Sequence, residues 1–296
     1  MDKRFESLTI FEFQQMFPDD HSCLKYLSDK KWANGFLCPK CGNTKYCKGD
    51  KEFRRQCTKC NYIGSPTSDT LFHKVKFSLR KAFYIVFFLS TSKKGISSTE
   101  LSRKLGLRQK TCWLFKRKVM VAMKSSGQFL MQGKVDVDET VVGGQEEGVV
   151  GRKNKKKKLV VFAIERKGKG IGRLYGRVLK NASSKELGGF MRDTIDKNAS
   201  IKTDEWTGYK PLTATFPNLK QIPSGKKGGN FPDLHRAIMG FKGWLRGIHH
   251  QTRHLQAYVD EYTYRFNRNL IKKGLFENLL TRMVTEEPHP YKKIIL

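Results

Sequence analysis

The sequence predicts an α/β domain preceded by a small cysteine-rich module and a group of helices. Three segments rich in β-branched residues begin at Gly133 and are followed by a helix, a short strand and further helices. Two CxxC pairs and several capped helical segments occupy the preceding part of the chain. Two acidic segments, residues 135–140 and 201–206, interrupt a chain that is otherwise strongly basic.

The composition favours a polyanionic partner. Lys and Arg number 58 against 27 Asp and Glu, a formal net charge of +31, which favours binding to nucleic acid or to an anionic membrane surface. The longest apolar run, around Ala82 to Leu89, is too short to span a bilayer, and the first residues lack the apolar stretch of a secretory signal. We therefore expect a soluble, cytoplasmic, DNA-associated protein without a membrane partner, or a nuclear one if the host is eukaryotic.

Four of the seven cysteines have the spacing of a tetrahedral zinc site. Residues 45–47 and 52–56 between the two pairs resemble the arms of a hairpin that turns at Gly49 and Asp50, so we predict a zinc ribbon. Two disulfides are the alternative, which an intracellular location disfavours. Cys23, Cys47 and Cys112 are interpreted as buried small side chains. We expect about one structural Zn²⁺ per chain, held by Cys38, Cys41, Cys57 and Cys60.

Helical spacing dominates the rest of the N-terminal half. Residues 8–17 and 23–32 precede the predicted ribbon, and Ser78 is placed to cap a helix that runs to Leu89. Residues 97–107 and 108–123 then predict two helices joined at Gly106, the pattern of a helix-turn-helix. A short helical hairpin without a DNA role would look the same. If the motif binds DNA, the start of its second helix presents Arg108, Gln109 and Lys110.

Residues 133–142, 158–166 and 172–180 predict three consecutive strands. A helix capped by Ser183 or Ser184 follows, then a strand over residues 199–203 that ends at Asp204, and helices over 235–247 and 254–268. This order predicts a mixed sheet whose acidic residues meet at one edge.

Clustered carboxylates repel DNA phosphates unless a metal cation lies between them, so the two acidic segments predict a metal-dependent phosphoryl-transfer site. Alternation along the strand puts Asp136 and Asp138 on one face and Glu139 on the other, and it does not choose between the two aspartates. A solvated strand end is the alternative for each segment alone. Trp206 and Tyr209 fit packing better than base stacking.

The element order is that of the ribonuclease H-like fold, and several motifs extend the similarity. They are Phe17-Pro18, Cys23 and Trp32 before the ribbon, Asp138-Glu139-Thr140 with Gly143-Gly144, Thr203 to Trp206 with Tyr209, and the ending Tyr264 to Arg268. From about Phe11 to Asn269 the chain resembles the ISXO2-like transposases of the IS1595 group. The resemblance implies a DNA transposase with a catalytic triad and a basic residue seven positions after its third member.

The resemblance implies Asp138 and Asp204 as the first two acids, His235 as the third metal ligand and Lys242 as the basic residue. His235 departs from the commoner acid, and Asp233 is a rival for the position. Two divalent ions, Mg²⁺ or Mn²⁺, would serve the chemistry, and an imidazole ligand favours Mn²⁺. Lys155, Lys156 and Lys157 belong to a basic run that contacts DNA or forms a solvated turn, and Lys242 and Arg246 are further candidates for DNA contact.

We predict four regions: residues 1–75 with the first helices and the ribbon, 76–128 with the helix-turn-helix, 129–270 with the ribonuclease H-like domain, and a tail over 271–296. The predicted activity is binding of terminal inverted repeats, metal-dependent strand cleavage and transfer of the ends to target DNA. Because two element ends must be processed, we expect at least a homodimer. A transposase-derived DNA-binding regulator without cleavage is the alternative, and a structure-specific nuclease on the same fold is a weaker one.

Overall fold

A computed structural model describes residues 7–143, 157–168, 170–226, 229–249, 252–269, 271 and 274–295. The chain divides into two compact units. The described residues through Met123, together with those from Ile271 on, form the first unit, and the second runs from Lys124 to Asn269. Residues from both predicted N-terminal regions contribute to the first unit.

The first unit is helical around a small sheet. Side chains of Thr9, Asp19, Ser78 and Ser97 cap the first four helices by accepting backbone N–H groups of the first turn. The helices are α1 (Ile10–Met16), α2 (Asp20–Lys31), α3 (Leu79–Thr91), α4 (Ser98–Leu105) and α5 (Gln109–Met123). Strands β1 (Tyr46–Lys48), β2 (Arg55–Cys57) and β3 (Ile63–Gly64) form an antiparallel sheet in that order, which adds a third strand to the predicted hairpin.

Residues 271–296, predicted as a tail, contain two helices, α9 (Gly274–Thr285) and α10 (Tyr291–Ile295). Phe276, Leu279, Leu280 and Met283 of α9 have helical spacing and are buried. The Phe276 ring packs against Phe13, Phe17 and Phe83, among others, so α9 completes the aromatic core of the first unit. No helix of the described residues is long and apolar enough to cross a membrane.

The second unit contains a five-stranded mixed sheet with the order β6-β5-β4-β7-β8. The long strands β4, β5 and β6 pair antiparallel, whereas β7 and β8 extend the sheet in parallel with β4. This arrangement confirms the predicted mixed α/β architecture. The strands are β4 (Lys134–Gly143), β5 (Lys157–Lys167), β6 (Gly170–Leu179), β7 (Ser200–Thr203) and β8 (Leu219–Gln221).

Helices cover both faces of this sheet. On one face, Val135, Val137, Val161 and Ala163 belong to a buried core that they share with α6 (Ser184–Thr194) and a 3₁₀ helix (Thr207–Ala214). The other face is covered by α7 (Pro232–Ile248) and α8 (Leu255–Asn267). The even-numbered residues of β4, including both aspartates, face α7.

Helix α8 lies along the edge strand β6 and satisfies part of its backbone. The Asn267 side chain accepts from the Leu174 N–H at 2.7 Å and donates to the Leu174 carbonyl at 2.9 Å. Gln256 accepts from the Val178 N–H at 2.8 Å. These amides occupy the hydrogen-bonding positions of a neighbouring strand, which protects the edge from pairing with another chain.

Candidate active site and zinc site

The two acidic segments meet because β4 and β7 are parallel neighbours. Val137 pairs with Thr203, so Asp138 and Asp204 follow at the same level of the sheet. Ligand oxygens of Asp138, Asp204 and Glu139 all lie within 4.8 Å of one another. Oxygens bound to one Mg²⁺ at about 2.1 Å lie at most about 4.2 Å apart, so small side-chain adjustments fit this group to a single divalent ion.

Glu139 belongs to the acidic group although it was not among the predicted site residues. It lies on the opposite face of β4 from Asp138, as the alternation requires. The Tyr209 hydroxyl donates a hydrogen bond of 2.7 Å to Glu139 Oε2. Tyr209 follows β7 in the 3₁₀ helix, and the side chain is fully buried. The only sequence signal was the adjacency of Glu139 to Asp138, since the contact with Tyr209 joins residues 70 positions apart.

His235 lies in the first turn of α7, and its Nε2 atom is 3.3 Å from Asp138 Oδ2. The structure therefore brings the predicted third ligand to the first acid. The group of ligand atoms within 4.8 Å of one another includes Glu139 but not His235. The rival Asp233 forms an ion pair of 3.7 Å with Arg236. Its charge also contributes to the raised pKa of Asp136, after the larger effect of burial.

Asp136 lies one strand repeat before Asp138 and has a separate partner. It is 2% exposed, and its Oδ2 accepts from Arg166 Nε at 2.8 Å and Nη2 at 2.6 Å. Burial raises the pKa of Asp136, and the Arg166 guanidinium opposes that effect. The two aspartates that alternation left equivalent thus have different surroundings: Asp136 neutralises Arg166, and Asp138 faces Asp204 and His235.

Lys242 belongs to a basic group beside the acids. Burial lowers its pKa, the charge of Asp138 opposes that effect, and Lys157 and Arg246 lower it further. A helical side chain points towards the N-terminus of its helix, so Lys242 extends back in the direction of His235. Arg246 is exposed one turn later, and Lys157 begins β5. Lys155 and Lys156, the other members of the predicted basic run, lie outside the described residues.

Helices α4 and α5 are joined by Gly106, which has a left-handed backbone (φ 59°) and accounts for the sharp turn between them. Arg108, Gln109 and Lys110 are exposed at the start of α5. Gln109 Nε2 donates to Ser98 Oγ at 2.7 Å, and the Lys110 ammonium lies 5.8 Å from the centre of the Tyr291 ring. The structure presents these three residues together at one helix start.

The four predicted zinc ligands converge. The Sγ atoms of Cys38 and Cys60 are 3.5 Å apart, and those of Cys41 and Cys57 are 3.6 Å apart. A tetrahedral Zn²⁺ with bonds of about 2.3 Å separates its sulfurs by about 3.8 Å. The Asn43 side chain and the Lys59 backbone each place a nitrogen 3.4 Å from Cys57 Sγ, and such N–H donors favour a thiolate. The donor set therefore fits a structural zinc ion.

Trp206 lies beside the acidic group. Its backbone N–H donates to Asp204 Oδ1 at 3.1 Å, and its indole Nε1 donates to the Ala182 carbonyl at 2.8 Å. The side chain is held in one position and is 36% exposed. Tyr209 is completely buried, so its ring is not available for stacking on a base.

Two family models match the chain. Residues 130–267 match the model described as ISXO2-like transposase domain, and residues 18–63 match the model described as transposase zinc-ribbon domain. A search of curated proteins gave no match. The first match spans the sheet, the acidic group and helices α7 and α8, and the second contains all four clustered cysteines.

Proposed function

Because the chain belongs to the ISXO2-like transposases of the IS1595 group, we propose that it is an active DNA transposase that cleaves DNA at the ends of its element and joins them to target DNA. The observation that supports activity is the meeting of Asp138 and Asp204 directly after the last parallel pair of β4 and β7, with Glu139 within 4.8 Å. Clustered carboxylates repel DNA phosphates unless a cation lies among them. In a protein of net charge +31, the cluster therefore favours a metal site.

The strand order and directions support a ribonuclease H-like catalytic domain. Three antiparallel strands are followed by a helix and then by β7, which pairs parallel with the first of them. The site is built on regular elements: Asp138 lies within β4, Asp204 directly follows β7, and His235 lies in the first turn of α7. Such elements hold catalytic groups more rigidly than loops do.

We assign Asp138 and Asp204 as ligands of the catalytic divalent metal, with His235 beside Asp138 as the third. These residues would hold a divalent metal, which would supply charge neutralisation at the phosphoryl oxygens and activation of a water or hydroxyl nucleophile. Tyr209 holds Glu139 in place from the opposite face of the sheet. Arg166 satisfies the charge of Asp136, so this acid has a structural role.

Lys242, Arg246 and Lys157 are proposed to bind backbone phosphates next to the scissile bond. The charges of Lys157 and Arg246 both lower the pKa of Lys242, and an anion bound beside like charges relieves their repulsion. The ribbon and the α4–α5 helix-turn-helix would bind the element ends, with Arg108 and Lys110 contacting phosphates. Gln109, which donates a hydrogen bond to Ser98, would contribute to DNA binding from the same helix start.

The test is cleavage of DNA that carries the sequences flanking this coding region, incubated with the full-length protein and Mn²⁺ or Mg²⁺. We expect nicks at the repeat ends that disappear in Asp138→Asn and persist in Lys197→Ala, a change at an exposed lysine outside the site. Tight binding without nicking by the unchanged protein would refute cleavage and favour the regulator. Cleavage that depends on junction structure and not on the repeats would favour the nuclease.

A further inference from the structure

A cavity of about 430 Å³ opens on the α6 face of the sheet, within the size range of small-molecule sites. Its lining includes three aliphatic residues that are direct cross-strand neighbours: Val141 pairs with Leu159, and Leu159 pairs with Leu179. They form one apolar row across β4, β5 and β6. An apolar row of this kind accepts the face of a ring better than it accepts a charged group, because burying an unpaired charge is costly.

The wall of the cavity is basic and polar. Lys180, Asn181 and Ala182 line it after β6, and Lys157 lines it at the start of β5. Lys180 and Asn181 are exposed, so their side chains can reach a bound anion or amide edge. An apolar floor with lysines on its wall suits a molecule that is part aromatic and part anionic.

The cavity lies near Glu139 of the candidate active site, on the same face of β4. Val141 is two residues beyond Glu139 on the same face of β4, a separation of about 7 Å in a strand. Lys157 lies close enough to Lys242 to lower its pKa. The Ala182 carbonyl accepts from Trp206, whose backbone N–H binds Asp204. The Ala182 backbone on the wall of the cavity and Asp204 of the acidic group are therefore linked through Trp206, which donates one hydrogen bond to each.

We propose that this cavity binds one unpaired nucleotide of the DNA strand, next to the phosphate that is cleaved. A base within a duplex is stacked on both faces and cannot contact the recessed row, whereas an unpaired base can lie on Leu159 while Lys180 and Lys157 bind its phosphates. This inference rests on the proposed function, because it requires DNA at the acidic group.

The test compares two short duplexes bound to the full-length protein in Ca²⁺, one with 2-aminopurine in a single-nucleotide bulge and the other with 2-aminopurine paired. We expect the bulged duplex to bind about tenfold more tightly, because only the unpaired base can enter the cavity, and its emission to change on binding. Ala182→Phe fills the cavity from a loop, and Lys180→Ala removes a cation from its wall. Each should reduce the preference to about twofold or less, whereas Lys197→Ala should retain it.

Equal affinity for the two duplexes, or a preference that survives in Ala182→Phe, would overturn the nucleotide site while leaving cleavage intact. Failure to bind either duplex would overturn the proposed function as well. Free dAMP serves as a competitor. If dAMP at a concentration equal to that of the duplex displaces the bulged base, the cavity binds a free nucleotide and the proposal that it binds a DNA strand is refuted. Circular dichroism of each variant checks that the fold is retained.

Discussion

The Tyr209 hydroxyl donates to Glu139 Oε2 at 2.7 Å from a position with no solvent exposure. Burial, and next the Glu139 carboxylate, raise the pKa of Tyr209 well above its usual value. The phenol therefore stays protonated at neutral pH and remains a donor to Glu139. Asp138 and Asp204 also contribute to the raised pKa, which places the phenol within the field of the whole acidic group.

We expect Tyr209→Phe to raise the concentration of Mn²⁺ that gives half-maximal cleavage by about tenfold or more, because loss of a hydrogen bond to a metal-site carboxylate commonly has that effect. The measurement is a metal titration of strand cleavage at saturating DNA. Tyr62→Phe is the matched control, since it removes a similar phenol–carboxylate bond of 2.8 Å, to Asp69 in the first unit. An unchanged metal requirement in Tyr209→Phe would show that Glu139 does not act at the metal.

The sequence predicted the parts of the site that depend on local pattern. Alternation identified β4, and the acid after a short strand identified Asp204, because parallel neighbours bring such ends together. Glu139 was missed because its partner, Tyr209, lies in a 3₁₀ helix. That segment shows neither the helical nor the strand periodicity from which its position could be predicted. Alternation did not choose between Asp136 and Asp138, whereas the resemblance implied Asp138. The structure adds that Asp136 pairs with Arg166, a cross-strand partner that composition alone does not identify.

The zinc site provides a second prediction. We expect about one zinc per purified chain by elemental analysis, bound with the thiolates of the four clustered cysteines. Cys60→Ser should lose the metal and unfold the β1–β2–β3 sheet, because small zinc modules fold only with their metal. The prediction that Cys47 is buried is wrong: Cys47 is exposed, on the short strand β1. Because it also lies outside the cluster, Cys47→Ser should retain the zinc. Absence of zinc from the unchanged protein would refute the ribbon.

His235 makes the metal preference informative. An imidazole nitrogen is a better ligand for Mn²⁺ than for Mg²⁺, so Mn²⁺ should support cleavage at least as well as Mg²⁺. His235→Glu supplies an oxygen ligand at the same position and should shift the preference towards Mg²⁺. Asp233→Asn alters the neighbouring acid, which pairs with Arg236, and should leave the preference unchanged. A clear preference of the unchanged protein for Mg²⁺ would count against His235 as a ligand.

Lys31 gives a pH-dependent prediction for the first unit. Burial lowers the pKa of its amine to about 8, an effect that Asp69 opposes. The amine donates to the Ser65 carbonyl at 2.9 Å and to Ser68 Oγ at 3.1 Å. Between about pH 8 and the ordinary lysine pKa near 10.5, the unfolded chain binds more protons than the folded one, so the contribution of Lys31 to stability rises with pH.

We therefore expect the difference in unfolding free energy between the unchanged protein and Lys31→Met to grow from pH 8 to pH 10 in favour of the unchanged protein. Chemical denaturation at each pH measures it. The cysteines and tyrosines titrate in both proteins, so their effects cancel in the difference. Lys25→Met is a control, because Lys25 is exposed and pairs only with Asp29 on the same helix among the contacts described. A difference that is flat with pH would refute the lowered pKa.

Lys242 tests the proposed track of phosphate contacts. If its amine binds one DNA phosphate, Lys242→Met should weaken binding to all DNA sequences alike and reduce the slope of log K against log salt by about one. Cleavage should fall further than binding does, because the side chain extends towards Asp138, where charge develops during the reaction. Anisotropy across a range of salt concentrations gives the slope, and cleavage at saturating protein gives the second effect.

Lys197→Ala removes an equal charge from an exposed position elsewhere in the same unit and should change neither quantity appreciably. A loss of affinity confined to one DNA sequence would instead indicate contact with a base edge, and the assignment of Lys242 to the backbone would be wrong.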